Sequence, residues 1–169
     1  MKNLIVFLIC LMKIFLLSGF HSLARDASDS MKIVIIDRNS SKVCIEKFPD
    51  YVQTNLTPSE LQKMSNYLRF VIERYNTKED NWIRGGNLKS EEDYLIQVVP
   101  MLNNKNEKIV WMNILCISTI KGLNGDKKII QSFSGKGGRC YFHFLVNLQK
   151  EKIINMYAHG TKIDDELFE

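Results

Sequence analysis

The chain has 169 residues, enough for one ordinary domain with a real core, and 45% hydrophobic against 25% charged residues is a folding rather than a disordered composition. Net charge is +4, and setting aside Lys2 and Lys13 of the N-terminal segment leaves +2. So small a bias, with the basic residues dispersed along the chain, excludes a nucleic-acid-binding or anionic-membrane surface as the default reading.

The first segment, MKNLIVFLICLMKIFLLSGFHSLA, carries a Lys near its start, an apolar run from Leu4 to Phe20 and the small-x-small triplet Ser22-Leu23-Ala24. This pattern predicts a secretory signal peptide over residues 1–24, cleaved after Ala24, with a single domain over 25–169. Lys13 interrupts the apolar run. A Lys near the centre of a membrane helix costs about 2.5–3.5 kcal/mol on insertion scales, which argues against a stable span. A start at Met12 would give a shorter signal with its own Lys, and an uncleaved anchor is the remaining reading. The expected location is periplasmic or secreted, with no stable membrane span after cleavage. Export would leave Cys44, Cys116 and Cys140 in an oxidising compartment. One disulfide plus one free thiol, with Cys116 and Cys140 as the candidate pair, and three small buried hydrophobes are both open. No Cys-x-x-Cys spacing exists, which speaks against zinc or thioredoxin-like chemistry.

Met31–Asp37, rich in β-branched residues, predicts a strand. A turn at RNSSK follows, and VCIEKF reads as a returning strand. The next segment, LTPSELQKMSNYLRFVIERYN, is helical throughout. Thr57 is an N-cap, Pro58 occupies the first helical position, and Glu60 completes a capping box. Leu61, Met64, Leu68, Val71 and Tyr75 recur at helical spacing as one apolar stripe. Polar residues 77–93 read as a loop anchored by Trp82 and Ile83.

Beyond it the period becomes extended. Strands are expected at DYLIQVVPML, IVWMNILCIS, KIIQSFS, RCYFHFLVNL and IINMYAHG, separated by short polar or glycine-bearing connections that favour antiparallel pairing. Alternation puts Cys140, Phe142, Phe144, Val146 and Leu148 on one face, toward the helix, and Tyr141, His143, Leu145 and Asn147 on the other. The predicted fold is α+β, with one long helix packed on a bent antiparallel β-meander. The acidic end, residues 161–169, reads as loose.

Chemistry-bearing motifs are few. His143 and His159 have no metal-ligand spacing and read as surface or structural histidines. Cys140 and His143 are three apart on a strand, so they point to opposite faces and cannot form a nucleophile pair. The carboxylates at 91–93 and 164–166 read as solvated charge. Gly135–Gly138 is followed by a strand rather than a helix, so it reads as a hairpin turn and not a phosphate loop. No catalytic residue, metal site or cofactor is expected. A concave sheet face could hold a ligand, with Trp111, Tyr141, His143 and Gln97 as candidate contacts against ordinary sheet packing. The expected partner is another protein or a small ligand, and the oligomeric state is open.

The order of a helix followed by antiparallel strands resembles the cystatin-like α+β folds. In cystatins Gln-x-Val-x-Gly forms the inhibitory turn. Gln97 and Val99 match it, while Met101 stands at the glycine position and no Pro-Trp second hairpin is present. Val110-Trp111-Met112-Asn113 and Gly137 to Phe142 resemble small exported proteins of Bacteroidetes-type bacteria, which implies export and a bacterial host but no mechanism. Pro100 lacks a ladder donor and marks an edge, a strand end or a bulge. Together these features favour an exported, non-enzymatic binding protein. A protease-inhibitor-like or toxin-immunity protein and a small-molecule enzyme of a cone-shaped α+β fold are the alternatives.

Overall fold

The computed structural model describes residues 32–78, 86–122, 138–158 and 160–168. The expected signal peptide, Trp82 and Ile83, the expected strand over 128–134 and His159 lie outside the described residues. By contact the chain divides at Ser30, and all described residues belong to the unit Met31–Glu169.

The fold is α+β. Strands β1 (Lys32–Ile35), β2 (Val52–Gln53), β3 (Tyr94–Leu102), β4 (Lys108–Cys116), β5 (Tyr141–Asn147), β6 (Lys152–Ala158) and β7 (Thr161–Lys162) form one seven-stranded sheet. From β3 to β7 each strand pairs antiparallel with the next. The meander is extended by β1, which joins β3 in parallel, and this departs from the purely antiparallel expectation. The outer edge of β3 is shared: β1 pairs with residues 95–98, and β2 pairs antiparallel with Met101 and Leu102. Pro100 sits between the two. Its carbonyl accepts the Thr54 N–H at 3.1 Å on that outer side. A strand residue in an antiparallel ladder points its N and O the same way, so the missing donor of Pro100 falls at the junction where neither edge strand needs it.

Helix α2 (Pro58–Asn76) starts where the capping box requires. The Thr57 hydroxyl accepts the Glu60 N–H at 3.2 Å, and the Glu60 carboxylate accepts the Thr57 N–H at 2.7 Å. The same carboxylate accepts from Lys108 Nζ at 2.8 Å, which ties the helix start to the first residue of β4. The stripe Met64, Leu68, Val71 and Tyr75 is buried. It shares one core with Ile96, Val98, Met112, Ile114, Phe142, Phe144 and Val146. Each large side chain fully buried there contributes about 1.5–3 kcal/mol, which is the force that seats α2 on this face.

Two segments depart from expectation. VCIEKF is helical: α1 covers Lys42–Lys47, with Ser41 as N-cap accepting the Cys44 N–H at 3.4 Å. Cys44 and Phe48, four apart, turn inward together, while Ile45 is 44% exposed. A strand would also turn Glu46 inward between Cys44 and Phe48, but Glu46 is exposed, so the inward side chains follow helical spacing. The acidic end is packed rather than loose. Ile163 and Phe168 are buried in the main core, and the Ile163 N–H donates to the Met156 carbonyl at 2.8 Å. Two apolar side chains among the acids supply the burial that net charge concealed.

Cys116, at the end of β4, and Cys140, just before β5, form a disulfide. Cys44 is a free, buried thiol.

A cleft on the second face of the sheet

The face of the sheet away from α2 has its own, smaller core. Val99, Met101, Ile109, Trp111 and Leu145 project from it and pack against Ile36, Cys44, Val43, Phe48 and Tyr51. The cover is therefore α1 and its flanks. Arg38 holds that cover in place: its guanidinium donates to the Phe48 carbonyl at 2.6 Å and to the Pro49 carbonyl at 3.1 Å. These charge-assisted bonds fix the chain leaving α1, and with it Lys47 and Phe48.

Cross-strand register builds a polar row on this face. Gln97 lies opposite Asn113, Asn113 opposite His143, and His143 opposite Tyr157. The next row is Val99, Trp111, Leu145 and Ile154. At the β5–β6 end the cover stops short. A cleft of about 460 Å³ opens there between the two rows and α1, lined by Lys47, Phe48, Trp111, His143, Leu145, Asn155 and Tyr157. That volume falls within the usual range for small-molecule sites.

A bulge in β6 shapes the cleft. Asn147 pairs with Lys152 and Leu145 with Ile154, so unbroken pairing would set Met156 opposite His143. The register instead slips by one between His143 and Leu145, and Asn155 takes a left-handed φ of 52°. Asn is one of the few residues that adopts this conformation readily. The slip sends Met156 into the main core and brings Tyr157 against His143, their rings stacked at 5.1 Å. Bulges commonly re-aim side chains in this way.

His143 is the hub of the aromatic wall. Trp111 meets it edge-to-face at 5.8 Å, and Tyr141 lies at 5.8 Å on the other side. Phe48 packs edge-on against Trp111 at 5.6 Å. Lys47 Nζ sits 5.1 Å from the centre of the Trp111 ring, within cation–π range. Burial pushes the His143 imidazole down to about 4, and the Lys47 charge adds to the effect. The ring is therefore neutral near pH 7. Burial also lowers the Lys47 ammonium below its ordinary value, partly opposed by Cys44. Among the described residues no carboxylate pairs with Lys47.

Trp111 Nε1 and His143 Nδ1 are both buried and have no hydrogen-bond partner among the described residues. An unpaired buried donor or acceptor costs about 1–3 kcal/mol, and both of these nitrogens belong to residues whose side chains line the cleft.

Of the residues singled out in the sequence, Trp111 and His143 line the cleft. Tyr141 contacts His143 but is not part of the lining. Gln97 is fully buried two strands away, where its side-chain oxygen accepts from Asn113 Nδ2 at 2.8 Å. Lys47, Phe48, Leu145, Asn155 and Tyr157 escaped sequence reasoning. The first two lie in the segment misread as a strand, and Tyr157 reaches the site only through the bulge. An Asn in mid-strand was the available signal for that bulge.

No group of three or more His, Cys, Asp or Glu residues that could hold a metal occurs among the described residues. No helix among them is long and apolar enough to cross a membrane. No protein family, curated protein or solved structure matches the chain.

Proposed function

We propose that this is an exported, non-enzymatic binding protein that takes a small molecule into the cleft between α1 and strands β4 to β6. The observation that carries the reading is an open volume of about 460 Å³ walled by Phe48, Trp111, His143 and Tyr157, with Lys47 as the one charged lining residue. Preformed, mostly apolar clefts with a few polar atoms are the usual form of small-molecule sites. The Cys116–Cys140 disulfide supports an oxidising compartment, in keeping with the signal-like N-terminus and the resemblance to small exported bacterial proteins. The helix-then-strands order keeps a cystatin-like arrangement in view for the fold.

Neither alternative gains support at the residues it needs. A cystatin-type wedge requires an exposed turn, but Gln97 and Val99 are fully buried inside β3. An acid–base enzyme built on His143 requires a carboxylate partner, and none lines the cleft among the described residues.

The test is a ligand-observed NMR fragment screen followed by protein-observed spectra. Binders are expected to shift the Trp111 indole N–H and to lose affinity in Tyr157→Ala, which removes one wall of the cleft. A screen whose binders leave the Trp111 indole unmoved would overturn the proposal. Turnover of a bound compound would overturn its non-enzymatic part.

A further inference from the structure

We infer that the cleft is selective for a planar aromatic compound bearing a carboxylate, with the acid held by Lys47 and the ring seated among the aromatic side chains. The inference rests on the cleft being a binding site and adds the chemical class of its occupant.

Charge decides first. Lys47 is the one charged residue among the lining side chains, and no acid among the described residues neutralises it. Its ammonium rests on an indole face 5.1 Å away. An ammonium held at the wall of a cleft attracts an anion that enters it. A cationic ligand would meet repulsion from the same group.

Donor geometry decides between kinds of anion. The Lys47 ammonium supplies three N–H donors. A carboxylate offers two acceptor oxygens and can engage such an ammonium through charge-assisted hydrogen bonds. A fully ionised phosphate would leave more charge in the cleft than one ammonium offsets.

The body of the ligand follows from the walls. Phe48, Trp111, His143 and Tyr157 supply four ring surfaces, and Leu145 lies among them. Ring contacts favour flat, polarisable partners over saturated ones of equal size, by edge-to-face or offset stacking.

Isothermal titration with indole-3-acetate and benzoate, each beside its neutral amide, and with cyclohexanecarboxylate and benzylamine, tests the inference. Each run is paired with the Trp111 indole N–H shift. The aromatic acids are expected to bind at least tenfold more tightly than their amides and than the saturated acid, with benzylamine weakest. Lys47→Gln should remove the acid-over-amide preference while the ring still binds, and Lys47→Arg should keep it. Equal binding of acid and amide with the Trp111 shift retained would overturn this inference and leave the binding site standing. A Trp111 signal unmoved by every probe would overturn both.

Discussion

Asn113 Nδ2 donates to Gln97 Oε1 at 2.8 Å across the β3–β4 ladder, and neither side chain has any exposure to water. The pair lies in the polar row that ends at His143 and Tyr157. A buried amide pair of this kind stabilises the register less than its loss would harm it, because each orphaned group keeps its full desolvation penalty. Asn113→Leu should therefore lower stability by about 1–3 kcal/mol. The double variant Gln97→Leu/Asn113→Leu should fall short of the sum of the two single losses. Urea unfolding of the four-member cycle measures the coupling, and strict additivity would refute it.

The disulfide closes the chain between residues 116 and 140, a sequence separation of 24. Closing a loop of that length in the unfolded chain is worth about 3–4 kcal/mol in the chain-entropy picture. Cys116→Ala/Cys140→Ala should lose stability of that order. Alkylation in denaturant without reductant should label Cys44 and spare Cys116 and Cys140, while reduction first should expose both. In the native state Cys44 should react slowly, since burial raises its thiol above the ordinary range. Peptide mass mapping reads all three outcomes.

His143 makes folding pH-dependent. Its folded value is about 4, against 6.5 for the free side chain. As pH falls below 6.5 the unfolded chain takes up the proton first, and the folded chain follows only near 4. The imidazole's contribution is thus fully present above 6.5 and is lost between 6.5 and 4, about 3 kcal/mol in all. Carboxylates elsewhere titrate in part of that window, so the readout is a difference. Urea midpoints of the native protein and of His143→Gln should converge from pH 7 to pH 4. Curves that stay parallel across that range would contradict the burial argument.

Thr57 carries the start of α2. Thr57→Ala removes the acceptor for the Glu60 N–H and should cost about 1 kcal/mol, while Thr57→Ser should cost little. Thermal unfolding of both variants separates the hydroxyl from the methyl group. A loss of the same size in the serine variant would show that the cap is not the cause.

Local sequence determined the elements whose cause is local. The capping box and the apolar stripe of α2 need only residues within the helix, and both occur as read. Alternation in β5 settled which side chains share a face, because strand period is a property of the backbone. The polar segment between β3 and β4 is a turn for the same reason: the Asn103 side chain accepts from two N–H groups, those of Lys105 and Glu107.

The cleft was decided elsewhere. Its lining comes from α1 with the Phe48 that follows it, and from β4, β5 and β6, and no periodicity within one segment links these parts. VCIEKF is equally compatible with two periods over so short a run. Burial of Cys44 and Phe48 in the Trp111 cluster while Glu46 between them stays exposed selects the helical one. The parallel edge strand, the one-residue slip at Asn155 and the packed acidic end likewise depend on partners distant in the chain. Side-chain period is set by backbone geometry, residue by residue. Register, cover and open volume are set by which distant surfaces bury the most apolar area at once, and that sum exists only in the folded molecule.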